Sequence, residues 1–320
     1  MMKVVMIKDT PVYNAETGEV LNKELWPFDD YDTWYTNRSY LKSNKAAERV
    51  VVDVGGPHTT AGLRRLSLSD SFWIKYSSDT LTEFSDITPY SNDFTQSIPE
   101  LVLGGSQPKV WKKGRNDGTY IRKWEIAEQI SAEMFAVKVL RAAGIRTMNT
   151  FVIISGNKVF AKDYSADCVA DFINLVNMTN VSRALIDFSQ LGISIDGYDV
   201  NSVIDGYRKA GCTRDVETIS VMHVVADAVV QNTDRRHNSS NWGIFMDTAT
   251  GEKAPSAMYD FNWANLEIID VEMLRLVADS IARGGYRSTA RPIIEKLEKV
   301  CTKLGLTSWQ DNSSMLRELI

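Results

Sequence analysis

Cysteine is scarce in this chain, with three in 320 residues. Cys168, Cys212 and Cys301 stand far apart, show no CxxC spacing and are odd in number, so neither a disulfide framework nor a zinc site is indicated. A reducing compartment fits. Histidine is equally rare, at three. His58 follows Gly-Gly-Pro, and the partners that a nucleophile-base arrangement would need are not found for it, while His223 sits in an apolar run that suits a satisfied core residue better than a ligand. Positive charge is not in excess. The 36 Lys and Arg against 41 Asp and Glu leave a net charge of -5, which excludes the whole-chain basic field that draws a protein to nucleic acid. No stretch approaches the length of a membrane span or of a signal-peptide core, so a cytoplasmic protein without a membrane partner or direct nucleic-acid contact is expected. Internal repeats, low-complexity tracts and the P-loop string G-x-x-x-x-G-K-[ST] are missing too.

What is present is 44% hydrophobic content, enough for one large core or two medium ones, and two lobes are expected. Residues 1–100 mix short strands (VVMI, VVVDV, FWIKY) with aromatic-rich irregular pieces and define no sharp architecture. From Leu101 the pattern becomes regular. LVLGGSQPKVW and KKGRNDGTYIRKW read as strands joined by a glycine turn and a tight turn at Asn116-Asp117-Gly118, forming a small antiparallel sheet. AEQISAEMFAVKVLRAAGI then carries Ile130, Met134, Val137 and Leu140 at helical spacing, with Gly144 as its C-terminal cap. MNTFVIISGNKVFAKDY reads as a hairpin turning at Gly156-Asn157, and a boundary is placed near residues 162–165. Beyond it helices are expected at 166–176, 215–231, 271–283 and 289–304. The helix VETISVMHVVADAVVQ is apolar almost all round, so it should be buried and hold the following loop, NTDRRHNSSNWG, in a fixed place. A short strand WGIFMD, a turn at Thr250-Gly251 and the segment SAMYDFNWAN come next.

Four features thus occur in one order: the glycine turn GGSQPK, a lysine ending a strand (Lys123), a glutamate in the next helix (Glu133), and the acid-bearing loops NTDRRHNSSNWG and YDFN. Each alone has an ordinary structural explanation, as a hairpin turn, an exposed lysine, a surface acid or a solvated connection. In this order they match the needs of phosphoryl transfer from ATP in the protein-kinase manner. Backbone N–H groups of a glycine turn approach phosphate oxygens, a lysine neutralises them, a loop aspartate positions the acceptor hydroxyl, and a nearby Asn with a second Asp holds magnesium.

The residues from about Leu101 to Asn265 resemble the HipA-like serine/threonine kinases, a divergent branch of the protein-kinase and phosphoinositide-kinase fold. LGGSQPK is similar to the family's glycine-loop string, YIRK to its strand lysine, the AE of SAEMF to its helix glutamate, NTDR…NWG to its catalytic loop and MYDF to its DFG-like aspartate; LSLSDSFWIKY looks like a string found upstream of the kinase core in some bacterial and phage members. The resemblance implies an α+β, two-lobed protein-kinase-like fold: an N-terminal α/β region of the N-lobe or a family-specific extension over 1–100, a β-rich kinase N-lobe over 101–164 and a helical C-lobe over 165–320. It implies ATP and Mg2+ as cofactors and a protein substrate. Asp234 would be the catalytic aspartate, Lys123 would pair with the phosphates, Glu133 would orient Lys123, and Asp260 and Asn241 would bind the metal. Gly104, Gly105, Ser106 and Gln107 would cover the phosphates, Lys162, Asp163 and Tyr164 would form the hinge beside the adenine, and His237 would orient the catalytic loop through hydrogen bonds.

Two departures from the family pattern are visible. The family places its asparagine five residues after the aspartate, where this chain has Ser239, and its Asn-Trp-Gly string begins at position seven. Asn241 and Asn238 are therefore both candidates for the second metal ligand. The DFG-like string has Asn262 in place of glycine, and asparagine tolerates a positive φ better than most residues. Alternative readings are a pseudokinase or nucleotide-binding regulatory module, a toxin component acting with a small helix-turn-helix antitoxin partner, and a kinase whose acceptor is a small molecule.

Overall fold

The computed structural model describes residues 3–37, 70–78, 83–84, 97–98, 109–113, 119–123, 127–147, 150–155, 158–164 and 183–320. The expected phosphate-covering residues Gly104, Gly105, Ser106 and Gln107 lie outside the described residues, as do the strand VVVDV, the helix at 166–176 and the turns at 116–118 and 156–157. The chain folds as two units, each assembled from separate segments. One comprises Met1–Glu125, Phe151–Gly192 and Phe245–Lys253; the other comprises Ile126–Thr150, Ile193–Ile244 and Ala254–Ile320. The reading from sequence divides the chain linearly at 100 and 164, whereas the helix carrying Glu133 clusters here with the C-terminal helices.

In the first unit, β1 (Lys3–Ile7), β2 (Thr10–Asn14), β3 (Glu19–Val20) and β4 (Phe72–Tyr76) form an antiparallel sheet in the order β3-β2-β1-β4. The aromatic-rich pieces cover it. Trp26 stacks on Tyr13 at 4.6 Å between ring centroids and meets Phe28 edge-on at 5.0 Å, while Phe28 packs on Phe72 at 5.2 Å. The short helix α1 (Tyr31–Asn37) adds the fully buried Trp34. Burial of each such ring contributes about 2–3 kcal/mol, which explains how a region of short, irregular elements holds a defined core.

A five-stranded sheet follows: β5 (Ser97–Ile98), β6 (Lys109–Lys113), β7 (Thr119–Lys123), β8 (Thr150–Ser155) and β9 (Lys158–Tyr164), in the order β5-β6-β7-β9-β8. The expected hairpins are there as β6-β7 and β8-β9. A three-stranded sheet has the order β10-β11-β12, from β10 (Arg183–Asp187), β11 (Gly243–Asp247) and β12 (Lys253–Pro255), the last two joined around the expected Thr250-Gly251 turn.

The second unit is helical. Helix α2 (Ala127–Ala142) ends as its sequence predicts: Gly144 adopts φ +83°, its N–H bonds the Arg141 carbonyl at 2.9 Å, and the Ile145 N–H reaches Leu140 at 2.9 Å. The remaining helices are α3 (Val200–Lys209), α4 (Val216–Val230), α5 (Val271–Arg283), α6 (Arg287–Leu304) and α7 (Thr307–Leu319). Four of them, α3, α5, α6 and α7, pack around α4, and 11 of its 15 residues are buried. An amphipathic helix would leave one face to water; this apolar one has none to spare. Among the described residues no helix is long and apolar enough to cross a membrane.

His223, inside α4, is buried, and its Nδ1 lies 3.2 Å from the Tyr207 hydroxyl on α3. Burial, reinforced by the charge of Arg235, pushes its pKa down from 6.5 to about 3. The folded imidazole stays neutral while the unfolded one takes up a proton below about pH 6.5, so this group's contribution to stability is lost as pH falls from about 6.5 towards 3. Chemical denaturation of His223→Asn, which keeps an acceptor for Tyr207 but cannot titrate, is expected to show a shallower acid decline over that window. The difference in slope should approach about 1.4 kcal/mol per pH unit.

Candidate active site

Helix α4 stops abruptly just before the polar loop. Gln231 turns into the left-handed region at φ 55°, held there by its side-chain amide on the Ala228 carbonyl at 2.7 Å and by the Asp270 N–H on its Oε1 at 2.9 Å. Such a conformation persists in a non-glycine residue only where its surroundings over-determine it. The chain then makes one turn of 3-10 helix, Asp234–Arg236, and after His237 and Asn238 a second, Ser239–Asn241. Trp242 and β11 follow.

The second turn absorbs the two additional residues. The N–H of Asn241 bonds the Asn238 carbonyl at 3.0 Å and the N–H of Trp242 bonds that of Ser239 at 3.3 Å, which folds the insertion back on itself. As a result the amides of both Asn241 and Asn238 donate to the same oxygen of Asp234, at 2.7 and 3.1 Å. Their own oxygens differ in use. Asn238 Oδ1 is engaged by the Ser240 N–H at 3.2 Å and the Ser240 hydroxyl at 2.5 Å, whereas Asn241 Oδ1 has no hydrogen-bond partner among the described residues. The side chain of Asp234 is partly exposed, and its second oxygen, Oδ1, takes neither amide.

Arg235 points the other way, into the core, and is 2% exposed. Its Nε lies 2.9 Å from one carboxylate oxygen of Asp227, on α4, and donates to the other at 3.2 Å. The two remaining guanidinium nitrogens donate to the carbonyls of Asn241 and Tyr259. The rings of Phe261, Trp242 and Tyr259 surround the guanidinium at 5.0, 5.5 and 5.9 Å. Burial pushes the Asp227 carboxyl up to about 6, against the lowering effect of Arg235. The Trp242 indole returns a bond to the Arg235 carbonyl at 2.8 Å, and the Tyr259 hydroxyl bonds the Ser240 carbonyl at 2.9 Å.

The loop also depends on a close backbone approach. A Cβ on Gly197 would stand 2.8 Å from the Arg235 carbonyl oxygen and 3.0 Å from the Trp242 ring, and the Gly197 N–H bonds the Arg236 carbonyl at 2.8 Å. Gly197→Ala is therefore expected to lower stability by about 1–3 kcal/mol through overpacking, measured by chemical denaturation.

Asp260 is placed by a separate run. The Met258 N–H bonds the Arg146 carbonyl at 3.0 Å and Met258 forms a parallel bridge with Thr147, just beyond α2. Asp260 itself adopts φ 61°, and its carbonyl accepts the Asn232 amide at 3.4 Å. The positive φ thus falls on the aspartate of YDFN. Asn262, where the sequence suggests a glycine-like conformation, is buried without positive φ. His237 is exposed and makes no hydrogen bond among the described residues, so the expectation that it orients the loop is corrected: Arg235 has that role. Asp227 and Asn232 have no part in the sequence-derived site.

The other candidates are located by their elements. Lys123 closes β7, where the register sets it opposite Lys109 of β6 and Lys162 of β9; Asp163 of β9 stands opposite Arg122, and Tyr164 ends β9. Glu133 is buried on α2 in the second unit, while Lys123 belongs to the first. Among the described residues no three His, Cys, Asp or Glu cluster as a metal cage. Magnesium asks for less. It takes hard oxygen ligands and retains waters, so one or two carboxylates with substrate phosphates suffice, and Asp260 and Asn241 carry oxygen donors of the type it takes.

No family model matches the chain, and no curated protein matches it. Solved structures do. HipA of Shewanella oneidensis MR-1, from its toxin–antitoxin complex with HipB and operator DNA, is similar over 100% of this chain and 96% of its own, with a TM-score of 0.57 at 11% identity. The proinflammatory kinase CtkA of Helicobacter pylori matches 71% of this chain and 90% of its own, with a TM-score of 0.46 at 14% identity. The full-length likeness identifies the fold as HipA-like and α+β.

Proposed function

We propose that this chain is an ATP- and Mg2+-dependent serine/threonine protein kinase of HipA-like type. The observation that carries the reading is the convergence of two asparagine amides on one oxygen of Asp234, with the other oxygen left for an acceptor hydroxyl. In that arrangement the hydroxyl donates its proton to Asp234 Oδ1 as its oxygen attacks the γ-phosphorus and ADP departs. The two amides hold the carboxylate at one angle throughout. Catalysis of this kind is positioning and charge stabilisation, with little covalent chemistry left to the protein. Lys123 holds nucleotide phosphates, Lys162, Asp163 and Tyr164 flank the nucleotide, and Glu133 keeps its supporting role. Asp260 and Asn241 hold the metal, which when bound neutralises phosphate charge. Asn241 is preferred over Asn238 because its oxygen is uncommitted.

The second 3-10 turn, which brings the Asn241 amide back to Asp234 across the longer spacing, supports turnover over a pseudokinase. Incubation with γ-labelled ATP and Mg2+, alone and with a bacterial extract, should transfer label to serine or threonine, and Mg-ATP should raise Tm. Asp260→Asn should lose both effects. Absence of nucleotide-dependent stabilisation and of transfer in wild type would overturn the reading; stabilisation without transfer would favour the regulatory module. The HipA neighbour was solved with HipB, which supports a small helix-turn-helix antitoxin as partner here. Copurification of such a protein from the native host tests it.

A further inference from the structure

We infer that Asp227, buried in α4, is a positioning residue for both metal-ligand loops, an inference that rests on the kinase reading above. From this one carboxylate two short routes run to the proposed ligands. Through Arg235 it reaches the carbonyl of Asn241 and that of Tyr259, the residue before Asp260. Through Asn232, whose amide donates to Asp227 Oδ1 at 3.2 Å and to the Asp260 carbonyl at 3.4 Å, it reaches Asp260 itself. Both routes fix main chain, not ligand side chains. They therefore set the separation between Asn241 and Asp260 from beneath, without occupying a coordination position.

The guanidinium makes the coupling geometric. Its N–H groups form a rigid planar fork, so an Nε edge anchored on Asp227 aims the other two nitrogens at fixed angles. Removing the charge on Asp227 takes the ionic anchor from the Nε edge and leaves Arg235 to its two carbonyls and the surrounding rings, so the fork can shift and move two loops at once. A residue acting only as core filling would not have this selective effect. Asp227 stands two hydrogen bonds from each proposed ligand residue, and outer groups that orient metal ligands alter metal affinity or activity about 10–100-fold when changed.

The test compares Asp227→Asn, which preserves shape, with Val224→Ala on the same helix, a buried residue outside the network. Binding of Mn2+ is followed by electron paramagnetic resonance in the presence of a non-hydrolysable ATP analogue. Asp227→Asn is expected to weaken Mn2+ binding about 10–100-fold, with affinity for metal-free nucleotide within about twofold of wild type. Val224→Ala should lower Tm yet leave Mn2+ binding within about twofold. Amide hydrogen exchange without nucleotide supplies an independent readout: Asp227→Asn should raise exchange at residues 238–243 and 258–262 together, and Val224→Ala should not. Equal Mn2+ affinities in the two variants, or exchange that rises in neither loop or in only one, would overturn the inference. Failure of wild type to bind Mn2+ with nucleotide would instead remove the kinase reading, and the exchange measurement alone would then decide the positioning role.

Discussion

Asp234→Asn is expected to reduce phosphate transfer about 10²–10⁴-fold, the range associated with loss of a general base, while nucleotide binding stays within about twofold of wild type. The geometry explains why these two effects should separate. In the variant the side-chain oxygen can still accept the amides of Asn241 and Asn238, because both point at a single oxygen now, at 2.7 and 3.1 Å. The new amide nitrogen then faces outward, where the acceptor hydroxyl needs an oxygen. A donor meets a donor. The loop itself should remain folded, since Arg235, Trp242 and Tyr259 hold it through main-chain carbonyls that the substitution does not touch. Single-turnover transfer of label and the thermal shift given by Mg-ATP, measured side by side, check both halves. Undiminished transfer would remove Asp234 from the chemistry, and loss of nucleotide binding would assign it to the metal.

The second large effect concerns stability. Arg235→Met leaves the Asp227 carboxylate buried without its counter-charge, and breaking a buried pair in this way costs about 3–5 kcal/mol. Tm should fall on the order of 10 °C. The double variant Asp227→Leu/Arg235→Met removes both charges and fills the space with apolar atoms, so it should be less destabilised than the sum of its single variants. Denaturant titration of all four proteins gives the coupling energy. A residual deficit in the double variant is expected, because the carbonyls of Asn241 and Tyr259 still lose their donor. Additivity of the two single effects would mean that the pair is not coupled and that Arg235 acts through the carbonyls alone.

The parts of this site that were legible in the sequence are those set by local pattern. VETISVMHVVADAVVQ is mostly apolar, a pattern that suits a central, buried helix, as α4 is. Gly144 and the Gly251 turn were readable for the same local reason. The hydrogen-bonding direction of a single side chain was not. His237 and Arg235 are both plausible organisers of a polar loop, and what separates them is which way each faces once the 3-10 turn forms. Asp227 did leave a signal: a carboxylate within an otherwise apolar helix must find a buried partner, and the first cations after it are Arg235 and Arg236. The sheet β3-β2-β1-β4 was less accessible, because β1 pairs with β4 across more than sixty positions, Ile7 with Phe72 at the near end, and local periodicity carries no information about such a pairing. Helix α3 was hidden differently. Its apolar residues Val200, Val203, Ile204 and Tyr207 have helical spacing, but Asn201, Ser202 and Gly206 between them lower intrinsic propensity. Burial against α4 decides the matter.

The join between Met258 and the end of α2 has a mechanical meaning. The Arg146 carbonyl and the Thr147 bridge fasten the run leading to Asp260 onto the stretch that leaves the Glu133 helix. A swing of that helix works as a lever on the aspartate loop: it either carries Met258 along or breaks the hydrogen bond that binds them. Two acids 127 positions apart in sequence, Glu133 and Asp260, are thereby tied to one another through main chain, and a displacement of the helix is felt at the aspartate by leverage alone.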